Sequence, residues 1–124
     1  MSHDVIADGL NNIMNAKNAR KEFVVLSKYS KLFINTLEIA KNLGYIEDYK
    51  LNEKKLTINF GKFIKCGAIK PRFNVSVNNI EKYMKRYLPG RGIGILIIST
   101  NKGLTTHAEA IEKNLGGALI AYFY

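Results

Sequence analysis

Apolar positions open the chain at helical spacing. Val5, Ile6, Leu10, Ile13 and Met14 fall on one face of a helix predicted from about Asp4 to Ala16. Asp4 and Asp8 sit where the positive end of the helix dipole favours acids, and Asn11, Asn12, Asn15, Lys17 and Arg20 lie on or just beyond the other side. Glu22–Tyr29 reads as a strand. Ser30 is the expected N-cap of a second helix that turns Phe33, Leu37, Ala40 and Leu43 inward and stops at Gly44. Tyr45–Leu51 and Lys54–Phe60 alternate only in part and read as a hairpin joined by Asn52-Glu53. Gly61-Lys62-Phe63-Ile64-Lys65 then connects two halves.

The second half begins with extended segments around Cys66–Ile69 and Arg72–Val77, broken at Lys70-Pro71. Asn78 followed by Glu81 has the spacing of a capping box. It opens a short helix carrying Ile80, Tyr83, Met84 and Tyr87, which Pro89-Gly90 ends. Ile93–Ser99 is apolar without alternation and rich in β-branched residues, the pattern of a fully buried strand. Thr106 and Glu109 form a second capping box, for a short helix expected to end at Gly116-Gly117, and Ala118–Tyr124 closes the chain as a strand. Strands and helices interleave without regular βαβ spacing. The expected fold is therefore α+β in two small lobes: residues 1–64 as an α-β-α-β-β lobe, and residues 65–124 as a mainly β lobe with short helices.

Composition narrows the function classes. Nineteen Lys and Arg stand against ten acids, giving a net charge of +9. Phosphate polyanions are the commonest partners of such a surface, since each neutralised phosphate releases a counterion. No run of about 18 apolar residues spans a membrane, and the start Met1-Ser2-His3-Asp4 lacks the pattern of a secretory leader. The single cysteine, Cys66, closes no internal disulfide, so the expected location is the cytoplasm. Cys66 has no histidine near it in sequence, His3 and His107 stand apart, and no Cys or His pair has metal-ligand spacing. Gly90-Arg91-Gly92-Ile93-Gly94 precedes a strand, whereas a dinucleotide loop must follow one. No catalytic constellation, metal site or cofactor is expected. The chain reads as a binding protein with no small-molecule substrate.

Two stretches suit nucleic acid. Lys82, Tyr83, Lys85, Arg86, Tyr87 and Arg91 interleave charge with aromatic rings, and Lys62, Lys65, Lys70 and Arg72 line the segment before them. The bland alternative is core packing for the tyrosines and a solvated face for the lysines. The run Ile93–Gly103 passes from an apolar strand directly into Ser99-Thr100-Asn101-Lys102-Gly103, which concentrates hydroxyls, an amide, an ammonium and a glycine at one strand end. Such residues either read a ligand or hydrogen-bond their own backbone in an ordinary turn.

Gly92-Ile93-Gly94-Ile95, Leu96-Ile97-Ile98, Ser99-Thr100-Asn101-Lys102-Gly103, Glu109-Ala110, Gly116-Gly117 and the aromatic C-terminus resemble, without a gap, the C-terminal block of the S-eight family of small-subunit ribosomal proteins. Asp4, Ile6-Ala7-Asp8, Leu10, Ile13 and Asn15-Ala16 resemble its opening helix, and Ser30-Lys31 the start of its second. Lys70-Pro71-Arg72-Phe73 and the helix after it resemble the archaeal or eukaryotic branch.

The resemblance implies a structural constituent of the small ribosomal subunit: a primary rRNA-binding protein on a central-domain helix that helps nucleate assembly. It also implies neighbouring small-subunit proteins as partners and, in some lineages, the protein's own messenger RNA. Carried over, Ser99, Thr100 and Asn101 would contact bases and sugar hydroxyls, Lys102 a phosphate, and Gly103 would allow close backbone approach. Gly116 and Gly117 would permit a second approach, and Asn12, Asn15, Lys31 and Arg72 would contact backbone. The chain departs from the family at Ala118, where a charged residue is common, and Asn101 replaces the bacterial serine while keeping a donor and an acceptor. Charge alone supports a rival reading, a non-specific DNA-binding architectural protein, and the missing active site argues against an RNA-modifying enzyme.

Overall fold

Helix α1 (Val5–Asn18) buries Ile6, Leu10 and Ile13 of the predicted face together with Ala7, Gly9 and Ala16, while Val5 and Met14 stay half buried. In the computed structural model, residues 5–69, 73–90 and 92–124 are described. They belong to two compact units, Met1–Gly67 and Ala68–Tyr124. The expected roles of Asp4, Lys70, Pro71, Arg72 and Arg91 fall outside the described residues.

In the first unit, α1 is followed by β1 (Phe23–Leu26), α2 (Lys31–Asn42), β2 (Ile46–Asn52) and β3 (Lys55–Phe60). The sheet order is β1-β3-β2, antiparallel throughout, so the last strand lies in the centre. One side of the sheet buries Leu26, Leu56 and Ile58, which join Leu10, Ile13, Phe33 and Leu37 in the core. Gly9 lets the helices approach: a Cβ there would lie 2.7 Å from the Phe33 ring.

Local chemistry sets the helix ends. Ser30 caps α2 by accepting a hydrogen bond from the Phe33 amide at 3.2 Å. Gly44, at φ 87°, takes the left-handed step after α2, with Gly44 N bonded to Lys41 O and Tyr45 N to Ala40 O. Helix α1 ends in the same pattern around Arg20, at φ 62°. Leu43, expected to face inward, is the C-cap residue of α2 and stays half exposed, because the chain has already begun to unwind there. The hairpin also differs from expectation. Asn52 pairs with Lys55, and the turn is Glu53-Lys54, both with positive φ, which is the backbone twist a two-residue hairpin demands. Cys66 is buried; its amide donates to the Met14 sulfur and its thiol lies 4.0 Å from Leu10 O. Burial pushes that thiol up to about 12, so it stays protonated and inert.

Strand β4 (Cys66–Ala68) leads into the second unit, which continues with β5 (Asn74–Val75), α3 (Ile80–Tyr87), β6 (Ile95–Thr100), β7 (Gly103–Thr106), α4 (His107–Glu112) and β8 (Gly117–Phe123). Strand β6 pairs antiparallel with β7 on one side and β8 on the other, and β5 pairs with β8. Ile69, Val75, Ile80, Leu88, Leu96, Ile98, Ala110 and Leu119 form the core of the unit.

Three expectations change in this unit. Ile93 is exposed and only bridges Gly90; the buried strand begins at Ile95, after the left-handed step of Gly94 at φ 87°. The Asn78–Glu81 capping box does not form as predicted: Asn78 sits inside a 3₁₀ turn, Val77–Asn79, and the N-cap, Asn79, makes no side-chain cap hydrogen bond. The Thr106 hydroxyl does cap α4 by accepting from the Glu109 amide, but the Glu109 carboxylate accepts from the Thr105 hydroxyl at 2.6 Å. Helix α4 ends at Glu112 because Asn114, at φ 57°, supplies the left-handed step, so Gly116-Gly117 are released to the next strand.

Two side chains held in the left-handed region at Glu53 and Lys54 carry a steric cost that glycine would not. Lys54→Gly is expected to raise unfolding free energy by about 0.5–1 kcal/mol after glycine's entropy cost is subtracted. Urea denaturation checks this; an unchanged or lower midpoint contradicts it.

Candidate nucleic-acid interface

The polar stretch after Ile98 is the tip of the β6–β7 hairpin. Ile97 pairs with Thr106, Ile98 with Thr105, Ser99 with Leu104 and Thr100 with Gly103, leaving Asn101-Lys102 as the loop. Asn101 and Lys102 keep negative φ, and the left-handed step falls on Gly103 at φ 110°. That is the geometry in which a common turn is followed by a glycine. Behind the tip, Ile95–Ile98 are buried and anchor it.

The Thr100 hydroxyl donates to Gly103 O at 2.8 Å and accepts from the Lys102 amide at 3.1 Å. It therefore builds the turn, leaving one lone pair for anything else. The side chains of Asn101 and Lys102 are exposed and make no hydrogen bond or ion pair within the described residues. A Cβ at Gly103 would meet nothing within 4 Å, so the backbone there faces open space. Ser99 is half buried beside them.

Gly116 and Gly117 have a different cause from the one expected. A Cβ on Gly117 would stand 2.2 Å from Ser99 O, and one on Gly116 would stand 2.6 Å from Val75 O. These glycines are required by strand packing inside the unit, whatever lies outside it. They also border an open depression with Asn74, Ser76, Asn78, Asn79 and Asn114. Sequence reasoning missed this ring of amides, because only Asn114 stands near the Gly-Gly pair in the sequence; Asn74, Asn78 and Asn79 are brought beside it by the fold. Ala118 pairs with Ser99 on one side and Asn74 on the other.

At the base of the hairpin the Leu96 amide donates to Nδ1 of His107 at 3.0 Å, in a buried setting. Only an unprotonated Nδ1 can accept, and burial holds the imidazole below its ordinary value of 6.5. His107 is thus a structural acceptor that ties β6 to the start of α4.

The remaining predicted contacts belong to the first unit. Asn12 and Asn15, three residues apart, are exposed on the same side of α1, and Lys31 is exposed at the first position of α2. Asn12 borders a depression with Asp8, Ser27 and Lys28, whereas Asn15 and Lys31 do not line it. Lys28 was not singled out from the sequence. Arg72 lies outside the described residues. Among the described residues no group of three His, Cys, Asp or Glu side chains could hold a metal ion.

Fold and site define a basic α+β protein whose β6–β7 hairpin leaves the Asn101 amide and the Lys102 ammonium unpaired among the described residues. The family described as "Ribosomal protein S8" matches residues 4–124. A curated relative, "Small ribosomal subunit protein uS8" of Nanoarchaeum equitans (strain Kin4-M), is 41% identical over 129 residues, covering 100% of both chains. The chain belongs to the ribosomal protein S8 family, structural proteins of the small ribosomal subunit.

Gly117→Ala is expected to lower stability by about 1–3 kcal/mol, the cost of forcing atoms into a packed site, read as a reduced denaturation midpoint. A midpoint equal to the parent's would show that β6 and β8 separate freely. His107 makes stability pH-dependent. Its folded pKa lies below 6.5, so its contribution is complete above that pH and falls as the pH drops through it, when the unfolded chain binds the proton more readily. The melting temperature should decline from about pH 6.5 to pH 5, and His107→Asn, which keeps an acceptor without titrating, should flatten the decline. Parallel profiles for the two proteins would contradict this.

Proposed function

We propose that this chain is a primary rRNA-binding protein that grips an irregular central-domain helix of small-subunit rRNA with the β6–β7 hairpin, helps nucleate assembly there, and performs no catalysis. The observation that carries the reading is the hairpin tip: Asn101 and Lys102 unpaired, Gly103 open, and all held by a buried strand. A-form RNA hides its base edges in a deep groove, so a narrow protruding turn suits a widened minor groove and its 2′-hydroxyls.

In this reading Asn101 and Ser99 exchange hydrogen bonds with bases and sugars, Lys102 neutralises a phosphate, and Thr100 acts chiefly by shaping the turn. Gly116-Gly117, with the amides around them, form a neutral flank for the sugar edge. Asn12, Asn15, Lys31 and Arg72 contact the RNA backbone, and neighbouring small-subunit proteins complete the surroundings.

Competition binding tests the proposal. The distorted rRNA helix should outcompete duplex RNA and duplex DNA by orders of magnitude, while equal competition would leave only a non-specific basic protein. Asn101→Ala should weaken specific binding by about 1–3 kcal/mol, and Lys102→Ala should flatten the salt slope by about one unit. Thr100→Ala should also weaken binding, with Thr100→Ser restoring it because the hydroxyl returns. Unchanged binding in all of these variants refutes the hairpin as the reading element.

A further inference from the structure

A strip of aromatic rings and cations runs along α3 and β8 on the second unit. Phe73 and Tyr83 lie 5.3 Å apart between ring centroids, Tyr87 and Tyr122 5.6 Å, and Tyr122 and Tyr124 6.1 Å. The Arg86 guanidinium joins the two groups, 5.5 Å from the Phe73 ring and 5.7 Å from the Tyr87 ring, and Lys82 stands 5.8 Å from the Tyr83 ring. The ring bodies seal the rim of the core.

Core packing accounts for the rings but not for their polar ends. Among the described residues the hydroxyls of Tyr83, Tyr87, Tyr122 and Tyr124 make no hydrogen bond, and no buried polar side-chain atom lacks a partner, so these hydroxyls open onto solvent. Phenylalanine would seal the rim equally well. Lys82, Lys85 and Arg86 are exposed on α3, and among the described residues neither Lys82 nor Arg86 is paired with a carboxylate. Glu81, Glu109 and Glu112 are the acids of this unit, against eight Lys and Arg. Arg86 stands over two rings and its guanidinium makes no hydrogen bond among the described residues, so its N–H donors remain available for bidentate phosphate recognition.

We propose that this strip is a second RNA-contacting surface, which holds the phosphodiester backbone of a strand flanking the helix gripped by the hairpin. It rests on the RNA-binding reading above and extends it. Most of the ring faces already meet another ring, Arg86 or Lys82, which leaves little room for bases to stack. What remains is a line of hydroxyl and cationic donors, which matches phosphate and ribose oxygens and carries no base sequence. The surface therefore adds affinity and orientation without specificity.

The test uses the full chain with two RNA probes: the rRNA central-domain helix alone, and the same helix with its flanking strands. Two variants are read beside Lys102→Ala: the pair Lys82→Ala/Arg86→Ala, and the triple Tyr83→Phe/Tyr87→Phe/Tyr122→Phe, which keeps the rings and removes hydroxyls. The pair should bind the flanked probe about tenfold or more weakly, with a salt slope flatter by about two units, and bind the helix alone nearly as the parent does. The triple variant should lose part of the same increment with its melting temperature retained. If both variants match the parent on the flanked probe while Lys102→Ala weakens it, the strip is refuted and the hairpin stands. If Asn101→Ala, Thr100→Ala and Lys102→Ala all leave binding unchanged while the pair weakens it, the hairpin reading fails and the strip stands as an RNA-contacting surface on its own. Normal RNA binding with failure to enter assembled subunits would assign the strip to an acidic protein neighbour and overturn the proposal.

Discussion

The burial of Ile95–Ile98 in β6, which pairs with β8 from Ile95 and with β7 from Ile97, is the constraint on which the second unit depends. Each large aliphatic side chain taken out of water contributes about 1.5–3 kcal/mol, and four in succession leave β6 no freedom to slide or rotate. That immobility has two consequences. The hairpin tip leaves the unit at one place, so the backbone carrying Asn101 and Lys102 has little conformational entropy left to lose, while their exposed side chains keep their own. The neighbouring strand must also come so close that Gly117 sits against Ser99 O, and only glycine fits. Site geometry and core packing are thus one property.

The first unit solves a similar problem with helices. A three-stranded sheet cannot bury its apolar face alone, and α1 and α2 cover it, meeting where Gly9 admits the Phe33 ring. Its turns accept left-handed steps at Arg20, Glu53 and Lys54 without glycine, at the cost of local strain that the surrounding strands and helices override.

Much of the scaffold was readable from local chemistry. The Ser30 cap, the Gly44 stop and the Thr106 cap each follow from one residue type in one setting, and the structure has them; the buried strand expected over Ile93–Ser99 is there too, with its buried part confined to Ile95–Ile98. What misled was chemistry with two solutions. Asn78 and Glu81 have capping-box spacing, yet a 3₁₀ turn takes that position. Gly116-Gly117 look like a helix stop, yet Asn114 provides it. Strand β7 was missed because Gly103–Thr106 is too short and too polar to signal itself; it exists because β6 offers it an edge. The polar stretch was legible as a candidate contact, but the Thr100 hydroxyl's place inside the turn was not, since it depends on hairpin closure.

By itself the sequence determined the charge, the absence of metal-ligand spacing, the order of most elements and, through the resemblance of its two ends, the family. These depend on residue identity and short spacing, which one chain displays in full. The tertiary structure alone decided which groups are used up and which are left over: His107 and Thr100 spent on backbone partners, Gly116 and Gly117 on strand contact, Asn101 and Lys102 unspent. The reason is physical. Whether a polar group is free depends on what stands within about 3 Å of it, and the fold supplies those neighbours: closure of the hairpin for Thr100, and residues further off in sequence for His107.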